Sequence, residues 1–126
     1  MSYRDSLPEG CPPDAAEEIC AERVVFRLVR TDPPTARDFL SQRQEKPKRV
    51  FPGVSECETR GLSVFAERRD AEAKALKLPH LKNRKLCRVL LPAGAGRIQQ
   101  TFQPSHHTWW PLEAFDILAN CRVETA

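Results

Sequence analysis

Two of the chain's three histidines and both of its tryptophans stand in one short run, residues 105–111 (SHHTWWP). Imidazole rings can bind metal ions, transfer protons or contact phosphate, and indole rings offer large apolar surfaces. If the run is extended, His107 and Trp109 share one face, while His106 and Trp110 share the other. We therefore expect one face to line a site and the other to be buried.

The two adjacent histidines do not suit a shared metal ion. Neighbouring residues of a strand point to opposite faces, so His106 and His107 cannot both bind one ion. The sequence contains no H-x-x-x-H or H-E-x-x-H pattern, and its five cysteines include no C-x-x-C pair. We expect no metal site. A G-x-S-x-G motif is also missing, so no local signature marks a catalytic serine.

The distribution of charge favours an anionic ligand. Residues 73–112 contain seven basic residues and no acidic one, whereas residues 1–22 contain six acidic residues and one basic residue. Such segregation creates a local positive field that attracts anions. In the alternative interpretation the acidic segment folds back over the basic region. The two interpretations are compatible if the segment competes with a ligand.

Two further features bear on the kind of anion. Residues 94–97 (GAGR) place flexible backbone amides beside a guanidinium, which suits phosphate, although a plain hairpin turn is the favoured interpretation. The basic stretch with Trp109 and Trp110 could stack on nucleic-acid bases. A net charge of only +3 disfavours nucleic acid as the partner.

Arg27 is the most informative single charge. Residues 23–30 (RVVFRLVR) form the clearest strand pattern, in which Arg27 lies between Val25 and Val29 on the same face. A guanidinium among apolar neighbours must find a counter-charge or acceptors, so we expect Arg27 to anchor an anionic ligand. The alternative is an internal ion pair with Asp38, Asp70 or Glu124.

The elements that must position these residues follow the order β-α-β-α-β-β-β. This order predicts an α+β fold with a mixed or antiparallel sheet and two short helices. We expect an acidic, proline-punctuated N-terminal arm at 1–22 and a single compact domain at 23–126. The predicted elements are helical turns at 14–20, a helix from Thr35 (with Asp38 completing a capping box) to Gln44, a strand at 61–65, a helix at 67–76, a hairpin of 86–91 with 97–102, and either a strand or a helical turn and strand at 115–123.

Cysteine usage and hydropathy bear on location. The five cysteines are an odd number at wide spacings, so we expect no disulfide framework, with Cys87 and Cys121 as buried strand residues. No stretch of about 18 apolar residues is present, which argues against a membrane span. The N-terminal residues lack an apolar signal-peptide core, so a cytoplasmic location is the expectation.

Four blocks resemble those of a family of short, uncharacterised bacterial proteins. They are residues 7–13 (LPEGCPP), 26–30 (FRLVR), 61–65 (GLSVF) and 106–111 (HHTWWP). The resemblance spans most of the chain and implies a bacterial protein with one compact domain. Since no activity is assigned to that family, it implies no particular reaction.

A remoter resemblance is to small ADP-ribosyltransferases of the Arg–Ser–Glu type. Arg27 on a first strand and Ser63 on a second are similar in order and setting to the family's arginine and serine. The resemblance implies that Arg27 holds a dinucleotide phosphate and that Ser63 supports the nicotinamide pocket. The family's catalytic glutamate would fall at Gln99 or Gln100, and an amide cannot supply that charge. The resemblance therefore implies an inactive or altered member that binds an NAD-like ligand.

The sequence thus predicts a domain that binds an anionic, phosphate- or nucleotide-like ligand, or an anionic partner, in a cleft lined by Arg27, Ser63, His106, His107 and Trp109. An enzyme that transfers ADP-ribosyl or phosphoryl groups is one alternative. A purely protein-binding accessory module that uses the acidic arm is another. No bound cofactor is predicted beyond the NAD-like ligand of the resemblance.

Overall fold

Seven strands form one antiparallel sheet in the order β1-β5-β6-β3-β2-β4-β7 in the computed structural model, which describes residues 2–124. The strands are β1 (Glu17–Glu18), β2 (Arg23–Val29), β3 (Leu62–Phe65), β4 (Lys85–Leu91), β5 (Gly96–Gln100), β6 (His106–Pro111) and β7 (Cys121–Val123). The helices are α1 (Gln42–Glu45), α2 (Glu56–Thr59) and α3 (Arg68–Lys77), with 3-10 turns at Ala36–Phe39, Pro79–Leu81 and Leu118–Asn120. The predicted α+β class is confirmed, and the sheet is antiparallel.

Strand alternation divides the sheet into two apolar faces. The larger face packs a core that includes Val25, Val64, Ile98 and Trp109. The other face packs Phe65 and its neighbours beneath α3. Because successive side chains of a strand point to opposite sides, one strand can serve both faces. None of the helices within residues 2–124 has the length and apolar character needed to cross a bilayer.

The sheet is nearly divided between β2 and β3. These strands pair at one position only, Phe26 with Phe65, whereas β2 pairs with β4 along its whole length. On the other side, β3 pairs continuously with β6. The sheet therefore consists of two halves, β1-β5-β6-β3 and β2-β4-β7, that separate beyond a single shared pair.

Asp38 fixes the segment that follows β2. Its carboxylate accepts hydrogen bonds from the Arg30 backbone N–H at 2.7 Å, the Thr31 hydroxyl at 2.8 Å and the Thr35 backbone N–H at 2.9 Å. Burial by itself would raise the pKa of Asp38, but these hydrogen bonds hold the pKa below its usual value. The predicted Thr35–Asp38 interaction is thus present. The single helix predicted up to Gln44 is wrong, because the chain is extended at Leu40 and divides into a 3-10 turn and α1.

One expectation about strand pairing is also wrong. Residues 86–91 and 97–102 do not form a hairpin, because both sides of β4 are occupied by β2 and β7. Instead, β5 pairs with β6, which places Ile98 opposite Trp109 in the core. Gly96 permits this pairing, since its φ is 125° and a side chain there would collide with the backbone carbonyl of Trp110.

The N-terminal segment lies against the sheet along much of its length. Residues 14–20, predicted as helical turns, instead contain β1, which pairs with β5. Ala16 and Ile19 are buried, and Tyr3 forms an isolated bridge with Leu112. Further along, the Asp5 carboxylate accepts a hydrogen bond from the Ser41 hydroxyl at 2.7 Å.

A disulfide joins Cys11 of this segment to Cys57 of α2. The expectation that the cysteines form no disulfide is therefore wrong for this pair. Sequence spacing could not reveal it, because the two cysteines are 46 residues apart and meet only after the segment crosses the sheet. Cys87 is buried in β4 and Cys121 is half-buried in β7, in the strands expected for them.

We predict one disulfide and one fast-reacting thiol. A non-reducing digest should yield a linked Cys11–Cys57 peptide, and Cys11→Ser should lower the free energy of unfolding by about 2–4 kcal/mol, since the crosslink closes a long loop. Cys20 is exposed and should react rapidly with a thiol reagent. Cys87 should react slowly, because it is buried and burial raises its pKa to about 12.

Cys20→Ser is the matched control for these measurements and should leave the unfolding transition unchanged. More than one fast-reacting thiol in the native protein, or equal stability of Cys11→Ser and the parent protein in denaturant titrations, would contradict this prediction.

Candidate functional site

A cavity of about 480 Å³ opens where the two halves of the sheet separate. We call it the cleft. Its polar lining comes from several elements, since β2 contributes Arg27, β3 contributes Ser63, α3 contributes Lys74, and β6 contributes His106. The volume suits a small organic ligand. The structure thus brings together three of the five residues predicted for the site, namely Arg27, Ser63 and His106.

Arg27 bridges the gap between the halves. Its Nη1 donates to the Ser63 carbonyl at 2.8 Å, its Nε to the Asp38 carbonyl at 2.9 Å, and its Nη2 to the Leu40 carbonyl at 3.3 Å. The guanidinium also lies over the Phe39 ring, 5.7 Å from the centroid. The contact with Ser63 links β2 to β3 where the two strands no longer pair, and the other two contacts hold the segment that follows β2.

The counter-charge expected for Arg27 is replaced by backbone acceptors. Within residues 2–124 it makes no ion pair with Asp38, Asp70 or Glu124, and Glu124 pairs instead with Arg88 at 3.8 Å. Burial lowers the pKa of Arg27 to about 10, which still leaves the guanidinium charged at neutral pH. Three of its five N–H donors are used, so two remain for a ligand.

Ser63 and His106 are in direct contact across neighbouring strands. Ser63 alternates with the buried Leu62 and Val64, so its side chain faces the cleft. His106 lies on the adjacent strand β6, and its Nε2 is hydrogen-bonded to the Ser63 hydroxyl. A serine hydroxyl bonded to an imidazole is the arrangement in which the imidazole can remove the hydroxyl proton.

Thr101 sets the tautomer of His106. The imidazole Nδ1 is 3.2 Å from the Thr101 carbonyl oxygen, which can only accept a hydrogen bond. Nδ1 therefore carries the proton, and Nε2 presents a lone pair to the Ser63 hydroxyl. The Thr101 hydroxyl lies 3.0 Å from Nδ1 and 2.9 Å from the Thr108 hydroxyl, so it holds the ring in place.

Aromatic rings shield the His106 imidazole. Phe65 and Phe102 both meet it edge to face, with centroids at 5.3 Å and 5.4 Å. Burial lowers the pKa of His106, and the positive charge of Lys74 lowers it further, while the Thr101 hydrogen bond acts in the opposite direction. The neutral, proton-accepting form is thus favoured at physiological pH.

The cleft lining carries two cationic side chains, Arg27 and Lys74, and two carboxylates, Glu45 and Glu58. Lys74 has no carboxylate within 4 Å in the described part of the chain. Glu45 pairs with Arg30 at 2.8 Å, whereas Glu58 accepts a hydrogen bond from the Ser55 backbone N–H at 2.9 Å and keeps its negative charge. An anion entering the cleft would therefore meet two cationic side chains that form no ion pair within residues 2–124.

The acidic N-terminal segment does not neutralise this region. Its ion pairs in the described chain reach Arg23 and Arg60, through Glu17 and Asp5 respectively. Of the seven basic residues between positions 73 and 112, only Arg88 forms an ion pair within residues 2–124. Lys74 and Lys77 of α3 therefore have no ion-pair partner within residues 2–124.

Phe102 is an exposed aromatic residue at the cleft. Its side chain is 62% exposed although it is large and apolar. Its φ of 62° lies in the left-handed region, which a non-glycine residue adopts at a cost of about 1 kcal/mol. The turn between β5 and β6 therefore holds Phe102 over His106 in a position that offers a flat surface to a ligand.

The remaining two predicted site residues lie elsewhere. Trp109 is fully buried in the core, where its Nε1 donates to the Ala95 carbonyl at 3.1 Å. His107 shares that side of β6, does not line the cleft, and bonds through Nδ1 to the Ser105 carbonyl at 2.9 Å. Trp110 is also buried, with its Nε1 donating to the Cys57 carbonyl at 2.9 Å. Both indoles are structural, which the sequence alone did not settle.

Sequence reasoning missed Lys74, Thr101 and Phe102 as site residues. Lys74 belonged to a recognised basic stretch, but nothing in that stretch distinguishes it from Lys77. Thr101 and Phe102 follow β5 in the turn to β6, and only the pairing of those strands brings them to His106. The sequence predicts a strand that begins at Gly61. In the structure Gly61 directly precedes β3, and its lack of a side chain leaves room for the Thr108 side chain.

The residues expected to stand at a third catalytic position are outside the cleft. Gln99 and Gln100 lie in β5, opposite Thr108 and His107. The Gln100 amide donates to the Gln103 carbonyl at 2.7 Å. Among residues 2–124 there is no group of three or more His, Cys, Asp or Glu side chains placed to hold a metal ion.

We predict that Arg27→Lys lowers the free energy of unfolding by about 2–4 kcal/mol. A lysine ammonium cannot reach three carbonyls in the geometry of a planar guanidinium, so buried acceptors lose their donors. Arg23→Lys on the same strand is the control, with an effect below about 0.5 kcal/mol, since its partner Glu17 is 72% exposed. Chemical denaturation measures both, and equal losses would contradict the bridging role.

We predict that His106 is the Nδ1-protonated tautomer and titrates below pH 6.5. The unfolded chain then binds more protons than the folded one just below pH 6.5, so the free energy of unfolding falls as the pH falls through this range. Long-range ¹H–¹⁵N spectra and an imidazole titration measure both properties, and His106→Gln should remove this part of the pH dependence. A midpoint at or above 6.5, or a proton on Nε2, would contradict the assignment.

Comparisons with protein-family models, with curated proteins and with solved structures gave no match. The function of the cleft is therefore inferred from its own geometry and charge.

Proposed function

We propose that the protein binds a small phosphate-bearing ligand, of the size and character of a nucleotide, in the cleft. The observation that carries this proposal is that two cationic side chains, Arg27 and Lys74, line the cleft and form no ion pair within residues 2–124. Of the two carboxylates in the lining, Glu45 already pairs with Arg30, while Glu58 accepts from a backbone N–H. Cationic groups without an ion-pair partner in a concave site attract and hold anions.

The contacts available to a phosphate group come from two side chains. Arg27 has two N–H donors beyond those given to backbone carbonyls, and it stays charged at neutral pH. Lys74, which also lines the cleft, supplies an ammonium from α3. A phosphate between them would receive charge-assisted hydrogen bonds, which are about twice as strong as neutral ones.

The non-ionic part of the ligand would contact the apolar lining. Leu78 and Leu81 line the cleft beside the exposed Phe102 ring. A planar base can stack on a phenyl ring, and such stacking contributes about 1–3 kcal/mol. A phosphate attached to a planar apolar group therefore fits the cleft better than a free inorganic anion does.

A dinucleotide such as NAD is a second candidate ligand. The observation in its favour is that Arg27 donates directly to the Ser63 carbonyl, so the two residues to which the Arg–Ser–Glu resemblance assigns binding roles meet in one site. Gln99 and Gln100 stand outside that site. Binding, rather than ADP-ribosyl transfer, is therefore the role proposed for such a ligand.

We expect mononucleotides at millimolar concentration to raise the melting temperature. At about ten times Kd the stabilisation is about 1.4 kcal/mol, which corresponds to about 5 °C for a chain of this size. Lys74→Ala should remove most of the shift, and the shift should decrease as salt is added. Differential scanning fluorimetry with phosphate, AMP, ADP and NAD makes the comparison.

Lys77→Ala is the matched control, because Lys77 lies on the same helix outside the cleft and should leave the shift intact. No shift with any of the four compounds, or equal shifts in the two lysine variants, would overturn the proposal. A shift with NAD but not with AMP would favour the second candidate.

A further inference from the structure

We propose that Ser63 is a nucleophile and His106 its general base, so that the cleft transfers the phosphoryl group of a phosphate monoester to Ser63. This inference rests on the proposed function, since it takes the anionic ligand to be a phosphate ester. It adds a reaction to what would otherwise be a binding site.

The first support is the orientation of the two side chains. The Thr101 carbonyl accepts from Nδ1 of His106, and Nε2 meets the Ser63 hydroxyl on the neighbouring strand. A nucleophile, a base and a group that orients the base are thus aligned in one chain of hydrogen bonds. Here the orienting group is the Thr101 backbone carbonyl, and the pairing of β5 with β6 fixes its position.

The second support is the access of the serine to the cleft. Ser63 is exposed, while its neighbours Leu62 and Val64 are buried. Thr108, opposite Ser63 on β6, is buried and bonded to Thr101. Ser63 is therefore the hydroxyl of this network that a ligand can reach.

The third support is the positive charge beside the serine. Arg27 donates to the backbone carbonyl of Ser63 itself, which places a guanidinium next to the nucleophile. Lys74 lines the same cleft and is close enough to lower the pKa of His106. Phosphoryl transfer is catalysed largely by positioning and by cations near the oxygens of the transferred group. Arg27 and Lys74 are the cationic groups of the cleft that could fill this role.

The steps balance with water as the only co-reactant. The Ser63 oxygen forms a bond to phosphorus, its proton passes to Nε2 of His106, and the bond from phosphorus to the ester oxygen breaks. The proton on His106 is then given to the leaving oxygen, which departs as an alcohol. Water, deprotonated by Nε2 of His106, then attacks the phosphorus of phosphoserine, and the bond from phosphorus to the Ser63 oxygen breaks. The proton returns from His106 to that oxygen, which restores the Ser63 hydroxyl, and inorganic phosphate is released.

Charged groups around His106 shape its pH dependence. Lys74 faces it from α3, His107 adjoins it on β6, and Glu58 faces it from α2. Lys74 and His107 oppose protonation, while Glu58 favours it, and burial is the largest influence. The reaction with Ser63 should therefore be fastest where His106 is neutral and should decline as the pH falls below 6.5.

The experiment has two arms. In the first, diisopropyl fluorophosphate is added, and Ser63 attacks phosphorus with loss of fluoride. We expect one diisopropylphosphoryl group per chain on the Ser63 peptide by mass spectrometry, none on that peptide in Ser63→Ala, and labelling at least about tenfold slower in His106→Gln. In the second arm, p-nitrophenyl phosphate should release p-nitrophenol and leave phosphoserine at position 63 on acid quench.

His107→Gln is the matched control, since His107 neighbours His106 but lies outside the cleft, and it should label at the rate of the parent protein. Melting curves of each variant establish that it is folded. The absence of a label on Ser63 would overturn its assignment as the nucleophile. Equal labelling rates in His106→Gln and His107→Gln would overturn the assignment of His106 as the base. Labelling by the fluorophosphate without turnover of p-nitrophenyl phosphate would overturn the phosphoryl reaction.

The failure of this inference is distinguishable from that of the proposed function. Nucleotide-dependent stabilisation without any label at Ser63 would overturn only the inference and leave a binding site. Labelling of Ser63 without stabilisation by any phosphate compound would overturn the proposed ligand class, and with it the phosphate ester as substrate.

Discussion

The guanidinium of Arg27 is the interaction on which the rest of the structure depends. Strands β2 and β3 share one pair and then separate. Arg27 links them there by donating to the Ser63 carbonyl of β3, and the same planar group donates to the Asp38 and Leu40 carbonyls of the segment that follows β2. A polar group left unpaired on burial costs about 1–3 kcal/mol, so these acceptors matter. The Arg27 charge makes no ion pair within residues 2–124, although the charges of Glu45 and Asp38 favour its protonated form. The residue that closes the sheet is thus also the one that lines the opening.

The proposed chemistry of the cleft follows from this opening. Had β2 continued to pair with β3, a neighbouring strand would cover the edge on which Ser63 stands. Instead Ser63 faces a cavity and meets His106 from the paired strand β6. Thr101 fixes the imidazole, and Lys74 adds charge from α3. Binding and the proposed catalysis therefore depend on the same break in the sheet.

The most conspicuous residues of the sequence mainly stabilise the fold. Trp109 and Trp110 each bury an indole and satisfy its N–H with a backbone carbonyl, at Ala95 and Cys57 respectively. The second of these contacts ties β6 to α2, which the Cys11–Cys57 disulfide joins to the N-terminal segment. Disulfides persist mainly in oxidising compartments. The Cys11–Cys57 bond therefore argues against the cytoplasmic location expected from the sequence, and that location remains a prediction.

The sequence by itself determined what depends on near neighbours. Alternation in residues 23–30 predicted a strand with two faces, and the order of elements predicted the α+β class. For residues 106–111 two faces were predicted only on the condition that the run is extended, and the structure shows that it is strand β6. The sequence singled out Arg27, Ser63 and His106, but it could not separate them from His107 and Trp109. That choice depends on strand register, because a shift of one residue exchanges the faces. Ser63 and His106 are 43 residues apart, and Cys11 and Cys57 are 46 apart. Only the tertiary structure decided these contacts, since local patterns do not encode which distant strands pair.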